Sequence, residues 1–324
     1  MKNIWIILTL YCFATFTIAA QPDVVKQRLS RLPDVIEMPY NEAVQKCIDS
    51  YTADASKRNE VGLMLGRMNF YVAAFEEALE AEGLPLELRY LPMVESRLKT
   101  DAVSREGAAG LWQLGITTAK EQGLEVTSLV DERCDIQKSS KAAAHLLKGL
   151  HATLGDWELA IAAFRGGLPT VSKALQRSGG VKDFWKAYNY LPAEVRSCVP
   201  QFIAANYIMT YYCEHGITPV TLPLPSKSDT VTVHHKLALG QVATVCDIPL
   251  DTLKVLNPQY RAGIVPEGYS LRLPLEKVNV FIGREDDVHT YEADKWLTTR
   301  TEVAVPKTVS RPAARRTTNR RRRR

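Results

Sequence analysis

The chain has 324 residues, 46% of them hydrophobic and 24% charged, which are ordinary proportions for a globular protein with one large core and a smaller module. Its formal net charge of +5 does not indicate a nucleic-acid-binding domain. Eight arginines and no acid fall within residues 311–324, and the rest of the chain is slightly acidic.

Residues 1–20 have the pattern of a secretory signal. Lys2 precedes an apolar run over residues 4–18, and two alanines follow the run. Because the run is short for a membrane span and ends in small residues, a cleaved signal is favoured over an anchor helix. Cys12 raises the question of lipidation, but the bulky Tyr11 before it disfavours a lipoprotein site. We therefore predict an exported protein of the bacterial cell envelope, in the periplasm.

Residues 40–217 have the pattern of one all-α domain. An irregular leader at residues 21–39 precedes it, and residues 41–83 carry apolar side chains at helical spacing. No stretch before Gly216 has the alternation of a strand. Further helices are predicted at residues 116–122, at 139–154 with Gly155 at its end, at 157–164 behind a capping Asp156, at 170–176 and within 192–216.

A carboxylate lies on an apolar stripe within residues 84–98. Glu95 falls on the same predicted helix face as four leucines, Leu84, Leu88, Leu91 and Leu98. Pro92 should kink this helix or mark its start. Burial penalises the charged form of a carboxylate and raises its pKa, which would keep Glu95 protonated and able to act as an acid. A structural Glu, paired with an Arg or capped by backbone N–H groups, fits the same stripe.

A polar segment with closely spaced glycines follows Glu95. Ser96 comes directly after it, and the small residues 107–110 allow the backbone to approach a ligand or another helix. Trp112 offers a flat apolar face for a sugar ring, and Gln113 offers both hydrogen-bond donors and acceptors. This arrangement is suited to gripping a polysaccharide.

The ordered series of these segments resembles a known family. E-S-R-L, A-V-S and G-A-A-G-L-W-Q are similar to the E-S and G-L-(M/W)-Q motifs of the family 1 lytic transglycosylases. The flanking L-P-L-E-L-R-Y-L-P-M and V-D-E-R-C-D-I-Q-K-S-S-K resemble its membrane-bound D branch. The likeness covers about residues 40–217. It implies a goose-type lysozyme-like fold that acts on peptidoglycan glycan strands without a cofactor.

The resemblance also implies roles for individual residues. Glu95 would protonate the glycosidic oxygen between N-acetylmuramic acid and N-acetylglucosamine. It would then act as a base while the muramyl C6 hydroxyl closes a 1,6-anhydro ring, so that neither water nor a second carboxylate is required. Ser96 would orient Glu95 or the substrate, and Gln113 would contact the sugar. The cleft would be shaped by Gly110, Leu111 and Trp112.

Three positions depart from the family's pattern. Phe164 and Arg165 stand where the family has Tyr and Asn. The change removes a hydroxyl beside the acid and adds a cation, which would lower the pKa of Glu95. A second cleft tyrosine is replaced by Cys198, and residues 114–117 lack the aromatic residue and proline that follow G-L-W-Q. Two hypotheses therefore stay open: an active lytic transglycosylase, or an impaired glycan-binding or scaffold relative of the same fold.

Other reactive side chains give weaker signals. Four further carboxylates could serve a hydrolase, but their surroundings are typical of surface or helix-start positions: Asp101, Glu106, Asp131 and Asp135. The five cysteines of the mature chain match no metal-site spacing, so we predict no metal. Their odd number predicts at least one free thiol or an intermolecular bridge. They are Cys47, Cys134, Cys198, Cys213 and Cys246.

The composition changes after residue 217. Residues 218–230 contain three prolines and read as a linker. Residues 231–276 show strand, helix, helix and strand patterns and resemble a degenerate LysM module, a type that binds N-acetylglucosamine-containing glycans. Residues 277–310 suggest a further strand pair or a remnant. The Arg-rich residues between Arg311 and Arg324 should be disordered and attracted to an anionic envelope polymer or lipid, and no nucleic-acid partner is expected.

Overall fold

The computed structural model describes residues 22–32, 35–297 and 304–305. The predicted signal at residues 1–20, including Cys12, and the Arg-rich tail at residues 311–324 lie outside the described residues. Among those described, no helix has both the length and the apolar character needed to cross a membrane. The fold is mainly α, with a helical domain followed by a small α+β module.

The helical domain packs its elements around one large hydrophobic core. The longest helices form its framework, and α11 packs against both α2 and the short helix α4. The order is α1 (Pro22–Leu29), α2 (Glu42–Thr52), α3 (Ala55–Ala81), α4 (Leu91–Ser96), α5 (Ile116–Glu121), α6 (Ile136–Leu154), α7 (Trp157–Gly166), α8 (Leu168–Arg177), α9 (Phe184–Ala187), α10 (Ala193–Arg196) and α11 (Cys198–Tyr211).

Side chains at the helix starts fix several of these boundaries. Asp156 accepts a 2.7 Å hydrogen bond from the backbone N–H of Leu159, so it caps α7 as predicted. Asp135, one of the carboxylates considered for a hydrolase, likewise caps α6 through the N–H of Lys138. Gly155 ends α6 in a left-handed conformation with φ of 73°.

Pro92 marks the start of the helix that carries Glu95, which is one of the two outcomes predicted for it. α4 begins at Leu91 because Pro92 fits the first turn of a helix. The apolar residues before it do not continue that helix, since Leu86–Tyr90 form a 3₁₀ turn. The helix ends at Ser96, and the next two residues, Arg97 and Leu98, have φ of 54° and 59°. The chain therefore reverses immediately after Glu95.

The C-terminal module has the strand, helix, helix, strand order that the sequence predicts. Its outer strands pair antiparallel, with Thr230 opposite Arg272, and two short inner strands form a second pair. The elements are β1 (Ser228–Thr232), β2 (Leu237–Ala238), α12 (Leu239–Cys246), α13 (Leu250–Leu256), β3 (Ile264–Val265) and β4 (Ser270–Pro274).

The stretch after residue 277, for which a strand pair or a remnant was predicted, is helical where the structure describes it. It forms three short helices, α14 (Val278–Ile282), α15 (Glu285–Thr290) and α16 (Ala293–Trp296). Phe281 and Val288 are buried in the core of the module, so this extension is an integral part of it.

The segment joining the two modules lies against α3. The N–H of Val220 donates to the carbonyl of Gly62 at 2.9 Å. A Cβ added at Gly66 would lie 2.0 Å from the carbonyl oxygen of Val220, so only glycine permits this close approach. The predicted linker thus packs on the helical domain along this part of its length.

Glu158 in α7 provides a prediction about stability. Trp185 donates a 2.9 Å hydrogen bond to its carboxylate, yet burial and the nearby carboxylates of Asp156, Glu37 and Asp183 raise its pKa to about 8. A raised pKa in the folded state makes stability decline as the pH rises from the ordinary value of 4.5 through about 8.

We expect Glu158→Gln to remove this pH dependence because a neutral amide can still accept from Trp185. Between about pH 6 and about pH 9, the wild type should lose on the order of 2 kcal/mol more unfolding free energy than the variant. Urea unfolding at both pH values measures the difference. Equal losses in the two proteins would show that Glu158 is not responsible.

Candidate functional site

The site centres on Glu95 in the last turn of α4. Only 2% of its side-chain surface is exposed, as the apolar stripe predicts. One carboxylate oxygen, Oε2, accepts a hydrogen bond from Nη1 of Arg165 in α7, and the other, Oε1, has no hydrogen-bond partner among the described residues. The side chain of Arg165 remains 38% exposed, so the ion pair joins a buried carboxylate to a partly exposed guanidinium. The structure therefore brings the two residues into direct contact.

Two opposing effects act on the titration of Glu95. Burial raises its pKa, and the positive charge and hydrogen bond of Arg165 reduce that rise. The net direction is upward because the carboxylate is almost completely removed from water. Arg165 lowers the pKa of Glu95, as the sequence predicts. The effect of burial is larger, so the pKa is still raised.

Trp112 does not form an exposed sugar platform, so that prediction is wrong. Its side chain is fully buried, and its indole N–H donates to Oγ of Ser140 at 2.9 Å. Its ring packs edge-to-face on Phe75 and Phe164, with centroid distances of 5.4 and 6.4 Å. Leu111 is also fully buried. These two residues therefore support the site from within the core.

A tight turn positions Gln113 near the segment that follows α4. Gln113 has φ of 49°, and its side-chain amide donates to the carbonyl of Ala102 at 3.0 Å and to that of Gly110 at 2.8 Å. The side-chain N–H groups of Gln113 are therefore both used in hydrogen bonds to the main chain. A ligand would therefore meet the amide oxygen of Gln113, which is an acceptor.

Ser96 is buried and turned away from Glu95. Its hydroxyl donates to the carbonyl of Pro92 at 3.0 Å, within α4 itself. Such a bond satisfies the hydroxyl and leaves it no donor for a substrate. Ser96 thus acts on the local helix geometry, and the structure shows no contact between it and the Glu95 carboxylate.

Arg133 is a site-supporting residue that the sequence analysis did not select. It is fully buried and forms a bidentate pair with Asp131 at 2.8 and 2.7 Å. Its Nη1 also donates to the carbonyls of Gly107 and Leu114, at 2.7 and 3.2 Å. One side chain thus holds both ends of the turn that carries Gln113.

Gly110 lies against the main chain of the same residue. It has φ of 80°, and a Cβ added there would lie 1.8 Å from the carbonyl oxygen of Arg133. Only glycine fits this conformation and this approach. The role of Gly110 in shaping the turn is therefore steric.

The other carboxylates that were considered for a hydrolase differ in their exposure. Asp101 and Glu106 are exposed, whereas Asp131 is buried and paired with Arg133. The prediction that Asp131 is a surface charge or a helix start is wrong, because its hydrogen bonds to the Arg133 guanidinium permit burial.

Cys198, at the start of α11, borders the site. Burial and the nearby charge of Glu95 raise the pKa of its thiol, which keeps the thiol protonated. All five cysteines among the described residues are free. The described part of the chain also contains no group of three or more His, Cys, Asp or Glu side chains arranged to hold a metal ion.

Comparison with known proteins agrees with this architecture. Residues 73–187 match the family described as "Transglycosylase SLT domain", and residues 227–290 match "Lytic transglycosylase MltD, LysM-like domain". "Membrane-bound lytic murein transglycosylase D" of Escherichia coli strain K12 is 29% identical over 227 residues, covering 68% of this chain and 48% of that protein. A "Putative tributyltin chloride resistance protein" of Alteromonas sp. strain M-1 is 37% identical over 98 residues, covering 30% of this chain and 47% of that protein. The chain spans about half the length of these relatives.

Proposed function

We propose that this chain is a peptidoglycan lytic transglycosylase, because it joins a transglycosylase SLT domain to a LysM-like domain of the lytic transglycosylase D type. Such an enzyme is a lyase that acts on the polysaccharide strands of murein. The observation that carries the proposal is the buried Glu95 carboxyl, whose raised pKa favours the protonated form that an acid catalyst needs.

In the proposed reaction Glu95 acts twice, first as an acid and then as a base. It protonates the oxygen of the β-1,4 bond between N-acetylmuramic acid and N-acetylglucosamine as the bond from C1 to that oxygen breaks. The resulting carboxylate then takes the proton of the muramyl C6 hydroxyl as its oxygen bonds to C1. A 1,6-anhydro ring forms, water is not consumed and Glu95 is protonated again.

The cation at Arg165 favours a second candidate function, that of an impaired peptidoglycan-binding or scaffold protein. Arg165 pairs with Glu95 and opposes the protonated form, and Phe164 cannot donate a hydrogen bond near the acid. A protein that only binds glycan, however, gains nothing from a buried carboxylate that costs free energy to ionise. We therefore place the active enzyme first.

Digestion of purified murein sacculi tests the first candidate. The wild-type protein should release soluble muropeptides that chromatography detects over time, because Glu95 is buried and its raised pKa favours the acid form. A protein that binds sacculi but releases no muropeptides would support the scaffold function and contradict the enzyme.

The double variant Phe164→Tyr/Arg165→Asn separates a retuned active enzyme from a rebuilt site. Removal of the Arg165 cation should raise the pKa of Glu95 further, and the tyrosine would restore the hydroxyl that the family has at position 164, so muropeptide release should increase about tenfold or more. Initial rates at several pH values measure the change, with the gain largest at alkaline pH. No gain at any pH would indicate that Phe164 and Arg165 serve another purpose.

The name of the Escherichia coli relative places that protein at a membrane. We propose a cell-envelope location for this chain, in line with its signal-like residues 1–20. Attraction of residues 311–324 to an anionic envelope polymer or lipid remains a prediction.

A further inference from the structure

A cleft of about 680 Å³ lies between the helical domain and the C-terminal module. Its wall on the helical side includes residues 98–101, which begin two residues after the end of α4, together with Arg67. Its opposite wall includes Leu239, Lys254 and Trp296 of the module. We call this space the inter-module cleft. It starts directly beyond the chain reversal that follows Glu95.

Main-chain pairing fixes the two walls relative to each other. The N–H of Asp131 donates to the carbonyl of Gln259, and the N–H of Arg261 donates to that of Leu129, both at 2.8 Å. The hydroxyl of Tyr269 adds a 2.7 Å hydrogen bond to Glu125. Such pairing resists separation of the modules because each bond would have to be exchanged for one with water. The cleft is therefore a preformed feature.

The charges around the inter-module cleft favour an anion. Among the described residues that line it, three are cationic, Arg67, Lys99 and Lys254, and one is an acid, Asp101. Lys254 also lies 3.5 Å from the exposed Asp251 outside the cleft lining, a contact that high solvent exposure makes weak. A ligand that carries carboxylates would thus enter a predominantly positive environment.

Trp296 adds a second, independent feature. Its ring packs so closely on Gly240 that a Cβ there would lie 2.3 Å from ring carbons. Its indole nitrogen is buried and has no hydrogen-bond partner in the part of the chain that the structure describes. A buried N–H without an acceptor is costly, and a carbonyl or carboxylate of a ligand would relieve that cost. Leucine and valine side chains on the module side of the cleft suit small apolar groups.

Building on the proposed function, we propose that the inter-module cleft binds the acidic stem peptide of peptidoglycan beside the glycan strand that reaches Glu95. The sugar backbone of a peptide-substituted strand is uncharged, whereas its stem peptides carry carboxylates, amide carbonyls and alanine methyl groups. The cations, the Trp296 N–H and the apolar wall match these three groups. The cleft thus makes the enzyme selective for strands that retain their peptides.

Binding to defined fragments tests this inference with the full chain. Calorimetry would compare a disaccharide-tetrapeptide from murein with the same disaccharide that carries only a lactyl amide. The wild type should bind the peptide-bearing fragment at least about tenfold more tightly. Lys99→Glu/Lys254→Glu should abolish that preference without changing affinity for the lactyl amide. Trp296→Phe, which keeps a ring on Gly240, should weaken only the peptide-bearing fragment several-fold.

Lys173→Glu provides a matched charge reversal on exposed α8, away from the cleft lining, and should alter neither affinity. Equal affinity of the wild type for both fragments would overturn the inference, as would equal weakening of both by the cleft variants. Sacculus digestion separates the two proposals. Muropeptide release without peptide preference would contradict only the proposal that the inter-module cleft binds stem peptides. Peptide preference without muropeptide release would contradict only the proposed catalytic function.

Discussion

Glu95→Gln should reduce muropeptide release from purified sacculi by about a thousandfold or more. The amide has nearly the shape of the carboxyl group but cannot give a proton to the glycosidic oxygen or take one from the C6 hydroxyl. Positioned acid–base catalysis typically contributes a factor of about 10² to 10⁴, and here one side chain supplies both steps. Initial rates on the same sacculus preparation measure the loss.

Glu106→Gln is the matched control because Glu106 is exposed and undergoes the same chemical change. It should retain wild-type activity. Circular dichroism and thermal unfolding should show that Glu95→Gln is folded, since a neutral amide avoids the burial cost that the carboxylate bears. A folded Glu95→Gln protein with near wild-type rates would mean that another group is the acid.

Arg133→Met should destabilise the helical domain by about 3–5 kcal/mol. The change leaves the buried carboxylate of Asp131 without its partner and removes the donor that holds the carbonyls of Gly107 and Leu114. Because these carbonyls bracket the turn that carries Gln113, activity should also fall at temperatures where the variant remains folded. Urea unfolding and initial rates measure the two effects.

Lys138→Met is the comparison for this substitution. Lys138 forms an ion pair with Glu132 one residue away from Arg133, but its side chain is 56% exposed. Without Lys138, the carboxylate of Glu132 keeps a 2.8 Å hydrogen bond from the backbone N–H of Glu125, so the loss should cost about 1 kcal/mol or less. Arg133→Met/Asp131→Leu should be less destabilising than Arg133→Met alone because no unpaired charge stays buried. If Arg133→Met costs no more than Lys138→Met, Arg133 does not anchor the turn.

Local sequence signals predicted those parts of the fold that depend on near neighbours. Asp156 caps α7, Gly155 ends α6, and α12 and α13 are the two helices predicted within residues 231–276. In each case the signal lies within a turn of the boundary that it sets. The burial of the Glu95 side chain followed similarly from helical periodicity.

Features that depend on distant contacts were not predictable in this way. Arg97 and Leu98 adopt left-handed conformations without being glycine; Arg97 pairs with Glu60, and its carbonyl accepts from Arg67. Trp112 is buried because Ser140, from α6, supplies an acceptor for its indole. The sequence does not show the contact between Trp112 and Ser140, so a Trp beside a Gln predicted an exposed sugar platform instead.

The sequence does contain a pattern that is consistent with the ion pair of Arg133. An acid two residues before an arginine, as in Asp131 and Arg133, can form a bidentate pair, but burial of that pair depends on the turn folding over it. The helices after residue 277 are a similar case, since Phe281 and Val288 join a core whose other members come from earlier in the chain.

The most direct test of the central claim is the fate of solvent oxygen during sacculus digestion. In heavy-oxygen water, the wild type should release muropeptides with 1,6-anhydro ends that carry no label from solvent, because the muramyl C6 hydroxyl supplies the attacking oxygen. Mass spectrometry of the products reads this directly. Reducing ends that carry one heavy oxygen would show hydrolysis by an activated water and contradict the mechanism assigned to Glu95.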